Sequence, residues 1–203
     1  MSEKGRLKIV IVLGSVRPDN YTAKAAALVA DELGKDPDVE VEIIDPAALE
    51  LPPPGVDPKS PVARELQEKV QAASGVVLAT PEYHGSFSSV MKLVIENLGF
   101  PSALRGKPVA LLGVAAGSIG AIKSLEQLRG VCAHVGAIAL PLPVSVANVQ
   151  KAFAEDGTPA DPAVEKLVRR AGSGLLDYIR QNVCPRVQLE ELLREGMSQV
   201  ADS

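Results

Sequence analysis

Five short apolar runs, most of them followed by a polar or glycine-bearing loop and then a segment of helical period, constrain this 203-residue chain more than any other feature. The first, Leu7–Leu13 (LKIVIVL), is β-branched and stops at Gly14, as a strand covered on both faces would. Gly75–Thr80 (GVVLAT) and Pro108–Ala116 (PVALLGVAA) repeat the pattern. Val39–Ile44 (VEVEII) alternates apolar with acidic residues and predicts a strand nearer an edge, and Ala137–Leu140 predicts a short fifth strand. The intervening periodicity predicts helices over about Thr22–Gly34, Pro61–Ala73, Ser89–Leu98, Ala121–Val135 and Pro162–Asn182. Five βα steps of this kind require a parallel sheet with helices on both faces.

Composition agrees with one such unit. The chain is 46% hydrophobic and 23% charged, the balance of a globular protein, and its length suits one α/β domain better than two. A net charge of −4 argues against a nucleic-acid partner, whose phosphates need a basic face. No apolar run is long enough to span a bilayer, and the polar start Met1–Arg6 does not read as a signal peptide. Cys132 and Cys184 stand far apart and outside any C-x-x-C pattern, which predicts free thiols in a reducing cytoplasm. Two distant histidines and scattered carboxylates offer no metal-ligand spacing. Residues 1–184 read as the domain and 185–203 as a C-terminal helical extension, because Val187–Val200 carries a separate amphipathic pattern after Pro185.

In an open α/β sheet ligands bind beyond the carboxyl ends of the strands, so three post-strand loops matter most. The first, Gly14–Thr22, is neither a G-x-G-x-x-G fingerprint nor a Walker loop. It places Ser15, Arg17 and Thr22 beside a helix N-terminus, a set suited to a phosphate; an N-cap followed by a solvated arginine would read the same. The second loop, Thr80-Pro81-Glu82-Tyr83-His84-Gly85-Ser86, combines donors with a glycine that lets a planar ligand approach the backbone. His84 there reads as a ring contact, a general base or a plain loop residue, and Glu82 as structural or functional. The third, Ala116-Gly117-Ser118-Ile119-Gly120, admits close backbone approach, although a helix-entry loop needs glycine in any case.

Taken in order, these loops resemble the NADPH-dependent FMN reductase family, which includes bacterial azo, quinone and chromate reductases. The likeness rests on Gly14-Ser15-x-Arg17 with Thr22, on Thr80–Ser86 followed by Met91-Lys92, and on Gly117-Ser118-x-Gly120, and it covers roughly residues 7–180. It implies a flavodoxin-like three-layer sandwich with a five-stranded parallel sheet of order 2-1-3-4-5. By the same resemblance Ser15, Arg17, Asn20, Tyr21 and Thr22 would hold the FMN phosphate. Pro81, Glu82, Tyr83, His84 and Gly85 would line the isoalloxazine, and Gly117 and Ser118 would close the site. The chemistry would then belong to FMN, with NADPH or NADH as co-substrate and a small electron acceptor, and with no side chain acting as catalytic acid or base. The family pattern also implies a homodimer or homotetramer; the tail Pro185–Ser203 exceeds what many relatives carry and reads as docking on a neighbouring subunit or as a frayed end. Two positions depart from it: Ser88-Ser89 stands where Pro-Gly is common, and Lys92-Leu93 where Lys-Asn is common. Rival readings are a flavodoxin-type electron carrier and a regulatory or nucleotide-binding α/β module without redox activity. A carrier would need stacked aromatics and strong acidity, which a chain with no Trp, three Tyr and a charge of −4 lacks.

Overall fold

Successive side chains of a strand point to opposite faces, and in the strand Leu7–Leu13 both sets are apolar, so the sheet needs cover on two sides. The computed structural model describes residues 6–190 and supplies that cover. Its strands are β1 (Leu7–Leu13), β2 (Val39–Ile44), β3 (Gly75–Tyr83), β4 (Ser86–Phe87), β5 (Pro108–Val114), β6 (Ile138–Ala139) and β7 (Val144–Val146). Its helices are α1 (Tyr21–Gly34), α2 (Pro61–Ala72), α3 (Ser89–Asn97), α4 (Ile122–His134), α5 (Val149–Ala152) and α6 (Pro162–Tyr178). Ile9, Ile11 and Leu13 of β1 pack with Ala25, Val29 and Leu33 of α1 and with Val168 and Leu175 of α6. Val10 and Val12 face the other way, into a second core with Leu66, Met91, Val94, Leu125 and Leu128 from α2, α3 and α4.

The principal strands run parallel in the order β2-β1-β3-β5-β6, the flavodoxin-like arrangement expected from the sequence once the small hairpin strand β4 is set aside. The fifth position differs in detail. β6 pairs only with Pro108 and Val109, and β7 then takes up pairing with Leu112, Gly113 and Val114. Between them Pro141 and Pro143 have no N–H to offer a ladder, so the edge strand is broken in two. β4, β7 and α5 have two, three and four residues, too few for a periodic signal.

At the C-terminus, α6 does not stop where the pattern suggested. It passes through a π turn at Ile179–Val183, in which the Cys184 N–H donates to the Ile179 carbonyl, and residues 184–190 are helical again. Pro185 lacks an N–H and its ring would strike the carbonyl of Gln181 in a regular helix, so the wider turn lets the chain continue. The rest of the expected extension, 191–203, lies outside the described residues. Arg169 binds α6 to α1 by reaching Asp31 at 2.5 Å and Glu32 at 3.4 Å while also holding Glu165 of its own helix at 2.8 Å. Cys132 and Cys184 are both free, and burial pushes the Cys132 thiol up to about 11. No helix among the described residues is long and apolar enough to cross a membrane.

The approach of α4 to the sheet depends on a missing side chain. A Cβ on Gly113, in the last part of β5, would lie 2.6 Å from Ala121 Cβ and 2.9 Å from Leu125 Cγ. Gly113→Ala therefore forces α4 off the sheet and is expected to lower unfolding stability by about 1–3 kcal/mol, the usual cost of overpacking. Urea unfolding of the variant beside the parent checks this; an unchanged midpoint would show that α4 can retreat freely.

Candidate active site

The chain leaves β1 for β2 on one side and reaches β3 on the other, so the carboxyl ends of β1 and β3 border the crevice where such sheets take ligands. Here the first loop opens with Gly14, whose N–H donates to the Ala79 carbonyl at 2.7 Å, keeping the loop root on β3. Ser15 is buried and its hydroxyl oxygen accepts from the Arg17 N–H at 3.4 Å. Asn20 caps α1, accepting from the Ala23 N–H at 2.8 Å while its amide donates to the Arg17 carbonyl at 2.7 Å. The backbone of Arg17 is thus fixed from both sides, and its side chain is left in solvent.

The backbone N–H groups of Ser15, Val16, Tyr21 and Thr22 have no acceptor among the described residues, and α1 carries no acidic residue in its first turn. Unpaired N–H groups at the start of a 14-residue helix, with Arg17 in the loop that leads into it, suit an anion. Thr22 is buried in this turn. Tyr21 turns away instead: its ring lies 6.4 Å from that of Phe153, with the Lys24 ammonium 5.1 Å above it. Lys24 also donates to the carbonyls of Ala154 and Glu155, which lays that segment over the start of α1.

The second loop is a tight hairpin. Tyr83 pairs with Ser86, and both residues between them have positive φ, 51° at His84 and 74° at Gly85. Such a primed turn matches the twist of the strands it joins, and histidine tolerates the left-handed region better than most side chains. Pro81 is buried, pairing with Val114 of β5, whereas Tyr83 and His84 face solvent. Gln127 of α4 clamps the turn by donating to the Gly85 carbonyl at 2.9 Å and accepting from the Ser86 hydroxyl at 2.7 Å. The Glu82 carboxylate accepts from the Ser124 N–H at 3.1 Å, in the first turn of α4. A carboxylate is favoured at a helix N-terminus, so Glu82 ties the second loop to the helix that follows the third.

That third loop is the open side of the site. Gly117 and Ser118 are exposed, and a methyl added to Gly117 would meet nothing within 4 Å. Its root is held by Ser145, whose hydroxyl oxygen accepts from the Ala121 N–H at 2.9 Å, and by the Asn148 N–H, which donates to the Gly117 carbonyl at 3.1 Å. Val16 on the first loop, and Ile119 and Ile122 on and just after the third, are exposed. No group of three or more potential metal ligands occurs among the described residues.

Several anchoring residues escaped sequence reading, Ser88 above all. It occupies the first of the two positions that depart from the family pattern, and the structure gives it work there. Its hydroxyl donates to the Gly14 carbonyl at 2.5 Å and accepts from the Met91 N–H at 3.0 Å, capping α3. Its own N–H donates to Thr80 Oγ1 at 3.2 Å. Ser88 is buried, and the first and second loops are joined through it. A serine directly before a helical run is the one local signal that marked it.

The fold is flavodoxin-like, and its three loops gather at the carboxyl ends of the central strands, where such sheets take ligands. The model of the NADPH-dependent FMN reductase family matches residues 7–151, and the chain belongs to that family. It is 32% identical over 166 residues to an NADPH azoreductase of Bacillus sp. (strain OY1-2), covering 80% of this chain and 89% of that one. It is also 32% identical over 141 residues to a 2-hydroxy-1,4-benzoquinone reductase of Burkholderia sp., covering 68% and 76%. Among solved structures, FerB of Paracoccus denitrificans, a flavoenzyme NAD(P)H:(acceptor) oxidoreductase, superposes with a TM-score of 0.72 at 22% identity over 86% of this chain and 98% of that one. The chain is accordingly an FMN-dependent NAD(P)H oxidoreductase.

Ser88→Ala removes a helix cap and strands a buried carbonyl, and should cost about 1–3 kcal/mol of stability. Thermal unfolding monitored by circular dichroism reads the loss; a variant as stable as the parent would mean that water replaces the hydroxyl at Gly14.

Proposed function

We propose that the chain seats the FMN phosphate on the first loop and passes electrons from NADPH to a planar, electron-poor acceptor of the quinone or azo class. The observation that carries this reading is the pairing of unmet N–H groups at the start of α1 with an exposed third loop at the same edge of the sheet. Bound FMN would supply the redox chemistry, the hydride transfer between a nicotinamide and the acceptor. The protein binds and orients. Arg17 and the free N–H groups of Ser15, Val16, Tyr21 and Thr22 would neutralise the phosphate. The hairpin at Tyr83, His84 and Gly85 would present backbone groups to the ring edge, held in place by Gln127. The Glu82 carboxylate serves by fixing α4 rather than by moving a proton, since it is already engaged by Ser124.

The acceptor class follows from access. Val16 is 47% exposed, Ile119 73% and Ile122 47%, so a second planar molecule can lie on the open side without displacing a lid from the described residues. A homodimer or homotetramer in the cytoplasm completes the proposal, supported by the family membership and by two free thiols.

The test is a visible spectrum of the protein after incubation with FMN and desalting, then after anaerobic NADPH. A retained flavin band that bleaches is expected. A retained band that neither NADPH nor NADH bleaches would make the protein a carrier, and a colourless protein would overturn the reading. Arg17→Ala should weaken FMN binding by about 1.5–3 kcal/mol, the range for a hydrogen bond to a charged group. Titration of FMN fluorescence measures it, and unchanged affinity would remove Arg17 from the phosphate seat.

A further inference from the structure

Arg17 has no carboxylate partner among the described residues, yet its side chain is not loose. Its guanidinium carbon lies 4.8 Å from the centre of the Tyr83 ring, across the gap between the first and second loops. Both ends of this contact rest on fixed backbone. Ser15 and Asn20 hold Arg17, while the Tyr83–Ser86 pair and the Gln127 clamp hold the hairpin. Ser88 then joins the two loop roots through Gly14 and Thr80. The tyrosine is 36% exposed and its hydroxyl has no partner among the described residues, so the ring face is the part that the structure uses.

From this geometry we infer that Tyr83 is a positioning residue for Arg17, holding the guanidinium ready at the phosphate seat. A free arginine side chain has many rotamers to lose when it binds an anion, and a contact that restricts it beforehand reduces that loss. Guanidinium groups sit well on aromatic faces, and an exposed pair of this kind has a modest but measurable strength. The effect of Tyr83 on cofactor affinity therefore passes through Arg17. The inference rests on Arg17 as a ligand of the FMN phosphate.

The test is a double-mutant cycle on FMN affinity, read by fluorescence titration with Arg17→Ala, Tyr83→Leu and the double variant. Tyr83→Leu should weaken FMN binding about two- to fivefold, as expected for loss of an exposed cation–π contact. In the Arg17→Ala background the same change should move affinity by less than about 1.5-fold, and Tyr83→Phe, which keeps the ring, should match the parent. Equal losses from Tyr83→Leu in both backgrounds would overturn the inference and make Tyr83 a direct contact of the flavin. Tighter binding by Tyr83→Leu would also overturn it, since the ring would then compete with the phosphate for Arg17. Should Arg17→Ala alone leave affinity unchanged, the phosphate assignment itself fails, an outcome distinct from an additive cycle. Circular dichroism melting of each variant separates these outcomes from loss of fold.

Discussion

Burial of the central strands on both faces is the constraint from which the architecture follows. β1, β3 and β5 are apolar along nearly their whole length, and their alternate residues enter two separate cores. Only helices on both sides can cover such strands, and parallel pairing follows because each crossover is itself a helix. All three strands therefore end at the same edge of the molecule, and their loops meet there without any residue having to specify the meeting.

Bringing loops together is not the same as holding them in register. That depends on a small set of polar joints, each formed by residues distant in sequence. Ser88 and Gly14 are 74 residues apart, Glu82 and Ser124 are 42 apart, and Ala121 and Ser145 are 24 apart. Each joint satisfies a backbone group that packing has removed from water, where an unmet donor or acceptor would cost about 1–3 kcal/mol. The same accounting leaves the N–H groups at the start of α1 unmet at the rim of the crevice, and a phosphate would complete them.

Much of this was legible beforehand. Strand β2 and helix α2 follow from alternation and from a proline-led helical period, and their bounds differ from the expectation by at most one residue. The three loops were identifiable because each follows an apolar run. Within them the sequence could not say where side chains point. Tyr21, grouped with the phosphate loop, packs against Phe153, and Glu82, read as either structural or functional, caps α4. β3 runs three residues past Thr80 because Pro81 finds a partner in Val114 and the next two residues pair with β4, contacts that no local pattern announces.

The sequence by itself determined the class of fold, the order of its elements and the three segments that reach the crevice, because hydrophobic periodicity and chain breaks act over a few residues and are written locally. Tertiary structure alone decided that the edge strand is split at Leu140–Pro143, that α4 presses against Gly113, and that Arg17 lies over Tyr83. Those depend on close approach between segments tens of residues apart. Such approach is set by the packing of two whole cores and not by any stretch of chain.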